Sequence, residues 1–251
     1  MIGLIGAGNM ARALARGWGE PVLCSDAGSG RAARLVAEVG GEAVASNAEL
    51  AERAELVILC HKPRQLEAVA EQVDGHARAV VSVLAATPIA AVRAAYPGVP
   101  AVRALPNTPV EVRRGVVCLT VPQDVDPAIA RDVRERFGRV GRVVEMEDGD
   151  VELATALMST TPAYVALLVE AHVDAAVKHG MPASRAAELF VETLAGTAEL
   201  LSARGYDTLA VRREVTSPGG ITARGVAALE AAGVRAAFAD AVGAVLGEQR
   251  R

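Results

Sequence analysis

Up to Glu145 the apolar positions alternate between two rhythms. Short apolar runs at residues 1–5, 21–25, 56–60 (LVILC), 79–83, 101–104, 115–121 and 140–145 read as buried strands. Between them, residues 10–18, 31–39, 63–73, 88–95 and 127–138 carry apolar residues at helical spacing. The starts are marked as well. Ser46 followed by Glu49 makes a capping box, and Pro63 and Pro127 sit where an opening helix tolerates proline. Strands alternating with helices predict right-handed βαβ units and a parallel sheet covered on both faces.

After Glu147-Asp148-Gly149-Asp150 the strand rhythm stops. Residues 151–179, 184–204, 221–232 and 234–246 read as helices, parted by Gly180-Met181-Pro182, Gly205 and Gly233. The expected division is an α/β domain at 1–149 and an all-helical domain at 150–251. The helices are apolar on more sides than a bundle of that length needs for its own core. Either a second copy of the chain or the first domain would cover the excess.

Composition narrows the class. Of 251 residues about half are apolar, enough for a sizeable core, and the net charge is −4 with no basic block, which speaks against nucleic acid. Cys24, Cys60 and Cys118 are three widely spaced thiols, which fits reduced cysteines in a cytoplasmic protein. No targeting signal or apolar run of span length is evident, so no membrane is expected. No metal site is expected.

The first strand runs into Gly6-Ala7-Gly8-Asn9-Met10-Ala11, a G-x-G-x-x-A pattern between strand and helix. Gly6 permits the tight turn, Gly8 lets backbone approach a pyrophosphate, and Ala11 permits close helix–strand contact. This predicts a Rossmann-like, doubly wound, dinucleotide-binding domain. Asp26 follows Gly6 by twenty residues, at the end of the second strand. There a carboxylate can bond the ribose hydroxyls of NAD and repel a 2′-phosphate; equally, Asp26 can close an Asx turn in DAGSGR. Arg31 pulls the other way, as a phosphate partner. NADH is favoured slightly over NADPH on Asp26, and Asp26→Ser is expected to relax the preference toward NADPH. Two further loops follow strand ends: His61-Lys62-Pro63, with Lys62 a charge for a phosphate or carboxylate, and Leu105-Pro106-Asn107-Thr108-Pro109, with Asn107 a donor and acceptor for ribose or carboxamide. A solvated lysine and a turn asparagine are the plain alternatives. His61, His76, His172 and His179 read as loop or helix-surface residues.

In the helical half, Thr216-Ser217-Pro218-Gly219-Gly220-Ile221-Thr222 precedes a helix. Backbone N–H groups there can cup a carboxylate, with Gly219 and Gly220 presenting no Cβ and Thr216 and Thr222 adding hydroxyls. The alternative is an ordinary helix start, with Ser217 as cap and Pro218 first in the helix.

Taken together, IGLIGAGNMARAL, HKPRQ, RALPNTP, TPAYVALLVEA and REVTSPGGITARGVAALE resemble, in this order, the pyrroline-5-carboxylate reductase family. The resemblance implies a nucleotide-binding domain joined to a helical dimerisation and substrate domain, with rings of dimers in many members. It implies hydride transfer from NADH or NADPH to a cyclic imine, giving L-proline. It implies that Gly6, Ala7, Gly8, Asn9, Met10, Lys62, Pro63 and Asn107 meet the cofactor. Thr216, Ser217, Gly219, Gly220 and Thr222 would meet the imino-acid substrate, with Thr216 bonded to the ring nitrogen. Three places depart from the family: Met158-Ser159-Thr160-Thr161-Pro162-Ala163-Tyr164 lacks two glycines of the usual Ser-Gly-Ser-Gly-Pro-Ala-Tyr, Asp26-Ala27 replaces an Asn-Arg type of pair, and Ala86 stands where an Ala-Gly pair usually ends in Gly. A reductase of a related cyclic imine and a non-catalytic dinucleotide sensor remain alternatives.

Overall fold

The computed structural model describes residues 1–73 and 75–247. Two compact units divide between Ser159 and Thr160.

In the first unit the short apolar runs become strands because both faces of each are covered. β1 (Ile2–Ile5), β2 (Val22–Ser25) and β4 (Leu56–Leu59) are buried at every position. β3 (Gly41–Ala43), β5 (Val80–Ser82), β6 (Ala101–Pro106), β7 (Gly115–Thr120) and β8 (Gly141–Glu145) complete a sheet in the order β3-β2-β1-β4-β5-β6-β7-β8. The strand order reverses between β1 and β4, and the crevice beyond their carboxyl ends is where ligands of open α/β sheets bind.

One face of the sheet is covered by α1 (Asn9–Trp18), α2 (Arg31–Val39) and α6 (Pro127–Gly138). Leu4, Leu14, Ile58, Val81, Val102 and Phe137 meet there, and Trp18 packs edge-on against Phe137 while its Nε1 donates to the Arg136 carbonyl at 2.9 Å. The other face is covered by α3 (Asn47–Arg53), α4 (Leu66–Val73) and α5 (Ile89–Ala95), which bury Leu50, Val69 and Val92 against Ile5, Val57 and Leu59.

Two features differ from the expected parallel sheet and domain division. β7 runs antiparallel to β6. A parallel crossover needs a dozen or more residues, whereas β6 and β7 are joined by a short 3₁₀ turn, Thr108–Val112, that ends on Arg113 in the left-handed region. The second difference is α7 (Val151–Met158), which belongs to the first unit although a boundary at 149/150 would place it in the second. Val151 is fully buried against Leu105 and Cys118, and the buried Arg103 pairs with Asp148 at 2.9 Å and Glu152 at 2.8 Å. These nonlocal contacts outweigh the change of rhythm at Asp148.

The second unit holds α8 (Thr161–Lys178), α9 (Ala183–Ala203), α10 (Thr208–Glu214), α11 (Ile221–Ala231) and α12 (Val234–Val245). The expected single helix at 151–179 is two, α7 and α8, because Pro162 near the start of α8 has no N–H to continue the ladder. Contrary to expectation, the stretch Asp148–Lys178 is long and apolar enough by composition for a membrane span, with a mean hydropathy of 1.3 in its most apolar window. It is interrupted at Ser159-Thr160 and carries Glu170 and Asp174 within α8.

Candidate active site

β1 delivers the chain to Gly6 at φ +101°, a conformation that side chains rarely adopt. A Cβ there would lie 2.8 Å from the Cys60 carbonyl carbon. Gly8, by contrast, faces open space and is the N-cap of α1. No side chain caps that helix start and no acid lies in its first turn, so its N–H groups remain available to an anion. Ala11 is fully buried. An open glycine and an uncapped helix start with no acid in its first turn fit the pyrophosphate of a dinucleotide.

Gly6, Gly8 and Cys60 line a cleft of about 1080 Å³ at the switch point. Of the sequence candidates, Gly6, Ala7, Gly8, Asn9, Met10, Asp26, Lys62 and Pro63 lie on its wall. The Lys62-Pro63 loop is clamped by Lys62 N–H donating to Gln65 Oε1 at 3.1 Å and Gln65 N–H donating to the Lys62 carbonyl at 2.9 Å. The exposed Lys62 amine has no ion-pair partner among the described residues.

Asp26, on the cleft wall, takes up the turn chemistry that the sequence offered as its alternative role. Its Oδ1 accepts from Gly28 N–H at 2.9 Å, and its Oδ2 accepts from Ser29 Oγ at 2.7 Å, Arg31 N–H at 2.6 Å and Ala32 N–H at 3.0 Å. Partial burial pushes this carboxyl up, but the bonds from Ser29, Ala32, Arg31 and Gly28 outweigh it and hold the pKa below the ordinary aspartate value. The carboxylate closes its own turn and ties down the start of α2.

Asn107 is absent from the cleft wall. It is buried, its Oδ1 accepts from Val116 N–H at 2.8 Å, and its Nδ2 donates to the Met158 carbonyl at 3.1 Å. Its side chain therefore clamps β7 and the end of α7 rather than presenting both polar ends to a ligand.

His61, set aside as a loop residue on sequence, does line the cleft. Burial lowers its pKa, with the Lys62 carbonyl, 3.0 Å from Nδ1, opposing. The signal that could have found it is its position at the carboxyl end of β4, next to Lys62. The thiols are unreactive by burial: Cys24 is pushed up to about 12, and Cys60 and Cys118 are also raised.

In the second unit, Ser217 to Gly220 form a tight turn closed by Gly220 N–H donating to the Ser217 carbonyl at 3.0 Å. Gly219 takes φ +70° at the third position, which such a turn reserves for glycine. The N-cap of α11 is Gly220, not Ser217, and no side chain caps it. The ordinary-cap alternative, with Pro218 first in the helix, is thus not what forms. Arg224 pins the turn by donating to the Gly219 carbonyl at 3.2 Å. The Thr216 hydroxyl donates to the Arg212 carbonyl, an end carbonyl of α10, at 2.6 Å. Its oxygen is left as an acceptor. Thr222 lies one residue into α11.

Comparisons with known proteins also divide the chain in two, with the second match starting at residue 148, near the boundary expected from the sequence rather than between Ser159 and Thr160. Residues 148–251 match the family model described as pyrroline-5-carboxylate reductase dimerisation, and residues 1–86 match one described as NADP oxidoreductase, coenzyme F420-dependent. A pyrroline-5-carboxylate reductase of Synechocystis is 35% identical, with 78% of this chain and 74% of the relative covered. One from Thermus thermophilus is 34% identical, with 96% and 94% covered. The crystal structure of Plasmodium falciparum pyrroline carboxylate reductase with NADP bound superposes with a TM-score of 0.87 at 25% identity, covering 97% and 94%. With similarity of this extent along both units, and both glycine turns in place, the chain belongs to the pyrroline-5-carboxylate reductase family.

Proposed function

We propose that this chain reduces 1-pyrroline-5-carboxylate to L-proline, the last step of proline synthesis, using NADH or NADPH. The observation that carries the substrate side is the Ser217–Gly220 turn running into an uncapped helix beside a hydroxyl committed to Arg212. N–H groups at the start of α11 suit the substrate carboxylate, and Gly219 and Gly220 leave their approach clear. Ser217 and Thr222 flank the same turn. The Thr216 oxygen, its proton donated to the Arg212 carbonyl, suits an N–H donor, which is what a protonated imine presents.

The nicotinamide supplies a hydride to the imine carbon when bound. The open helix start at Gly8 suits the dinucleotide pyrophosphate, and Lys62 adds positive charge to the same cleft. Thr216 orients the ring nitrogen. No side chain needs to supply a proton, since the iminium arrives protonated and its C=N electron pair moves onto nitrogen as the hydride adds. Asn107 acts through its clamp on Met158.

The dimerisation match and the exposed apolar residues of α8 to α12 support a homodimer built through the helical unit. Rings of dimers rest on the family resemblance alone. A cytoplasmic location is supported by the cysteine pattern, and the lack of a basic block supports the absence of nucleic-acid partners.

The test is loss of reduced-nicotinamide absorbance on adding pyrroline-5-carboxylate to the purified protein. Turnover to proline is expected. Dinucleotide binding without turnover would instead favour a related cyclic imine, consistent with Thr160 and Thr161, or a sensor. Thr216→Val is expected to lower kcat by about 10- to 100-fold, the worth of one hydrogen bond to a charged group, with dinucleotide affinity unchanged. An unchanged kcat would remove Thr216 from its role.

A further inference from the structure

At the start of α11 the N–H groups of Ile221, Thr222 and Ala223 find no acceptor among the described residues. They are the donors that suit a carboxylate. One group at the same turn works against them. The Gly220 N–H donates into the turn, to the Ser217 carbonyl at 3.0 Å, so the Gly219 carbonyl of the same trans peptide points out of it. A bare carbonyl oxygen there would set partial negative charge beside the backbone donors and repel an anion.

Arg224 removes that conflict. It is the fourth residue of α11, and helical side chains lean toward the N-terminus, so it reaches back five residues to donate from Nη1 to the Gly219 carbonyl at 3.2 Å. That bond uses one of five guanidinium N–H groups. Arg224 has no ion-pair partner among the described residues. The acids of α10 and α11 are engaged by other arginines: Glu214 by Arg204 at 3.3 Å, and Glu230 by Arg235 at 2.8 Å and Arg212 at 3.8 Å. An uncompensated positive charge is thus tied to the turn, in a chain whose net charge is −4.

Resting on the substrate reading proposed above, we infer that Arg224 is the residue by which this turn selects an anion. Its guanidinium covers the Gly219 carbonyl and sets a full positive charge beside the backbone donors, so that a ring bearing a carboxylate is held more tightly than its neutral carboxamide. Arg224 is a positioning and specificity residue, remote from the hydride and the C=N bond. The carboxylate keeps its charge from bound imine to product, so the interaction is equal in ground and transition states. Its loss therefore appears in KM and leaves kcat.

The experiment is steady-state reduction of pyrroline-5-carboxylate by the full-length protein at low and high salt, with L-proline and L-prolinamide as competing ligands. In the parent protein L-proline is expected to compete about tenfold more strongly than L-prolinamide, and KM should rise with salt. Arg224→Ala should raise KM about tenfold at low salt with kcat within about threefold, flatten the salt dependence, and narrow the proline-to-prolinamide ratio. Arg224→Gln can still bond the Gly219 carbonyl but carries no charge, so its salt dependence should be as flat. Arg224→Lys keeps the charge and should stay within about threefold of the parent. Arg213→Ala removes the same charge from α10, where no side-chain bond ties it to the turn, and should change KM less than about threefold. An unchanged KM and ratio in Arg224→Ala, with the parent active, would overturn the inference while sparing the reductase. So would equal weakening of proline and prolinamide in a folded Arg224→Ala protein, the result of a merely structural clamp. An effect of Arg213→Ala as large as that of Arg224→Ala would also overturn it, since diffuse charge would then suffice. No turnover by the parent would remove the reductase reading and the inference with it.

Discussion

The two units differ in where their apolar surface goes. In the first, Leu4, Leu14, Val57, Ile58, Val81, Val102, Leu119 and Phe137 are fully buried, on two faces of one sheet. In the second, Ala186 and Val211 are the buried hydrophobic residues among those described, while Ile221 is 79% and Leu167 63% exposed. The sheet unit satisfies its own hydrophobic pattern. The helical unit leaves much of its apolar surface exposed, and its match to a dimerisation domain suggests a second copy of the chain as the cover.

The sharpest way to break this contrast is to place charge on the exposed apolar surface of the helical unit. Leu167→Asp with Leu189→Asp, both exposed in the single chain, should convert dimer to monomer in light scattering and lower turnover by about 100-fold or more, because each buried unpaired charge costs several kcal/mol. Dinucleotide affinity of the first unit should stay within about threefold. A double variant that remains dimeric would place the interface elsewhere.

A milder pair of truncations sharpens the same point. Leu14→Ala, in the core beneath α1, should cost about 2–5 kcal/mol in urea unfolding at any protein concentration. Leu167→Ala should instead lower a midpoint that rises with protein concentration, because its stability is shared with a partner. Equal, concentration-independent losses would mean that the helical unit has a core of its own.

The smallest effect lies at Asp26. Its folded-state pKa is below the ordinary value, so it stabilises the β2–α2 turn fully above about pH 4, and that contribution is lost as pH falls through the lower folded pKa. The acid-unfolding curve of Asp26→Asn should therefore be less steep below pH 4 than that of the parent protein. Superimposable curves would show that the four hydrogen bonds do not persist in solution.

Much of the fold follows from short-range pattern. The strand runs at 56–60 and 79–83, the capping box at Ser46, whose Oγ accepts from Glu49 N–H at 3.1 Å, and the turn after β1 all form where the residue types demand. β3 carries no such signal, since Gly41, Glu42 and Ala43 are all exposed; it exists through pairing with Val22, Leu23 and Cys24. α10 was likewise invisible as an element, though Asp207 caps it by accepting from Ala210 N–H at 2.9 Å. Among the site residues, both glycine turns were legible because glycine's backbone freedom is intrinsic to it. For Asp26 and Asn107 the residue types left two readings open, ligand contact or local turn chemistry, because a carboxylate or amide can serve a ligand or its own backbone with the same chemistry.

By itself, then, the sequence determined the helix and strand rhythm, the two open turns at Gly6–Gly8 and Ser217–Gly220, and the excess of apolar surface on the helical half. These rest on local sterics and on periodicity, which each residue carries wherever it is placed. Tertiary structure decided the rest: that β7 runs antiparallel, that α7 packs with the sheet, and that Asn107 spends its amide on Val116 and Met158. In each case the outcome depends on which groups arrive beside a polar or apolar side chain from distant parts of the chain, and burial makes those partners obligatory.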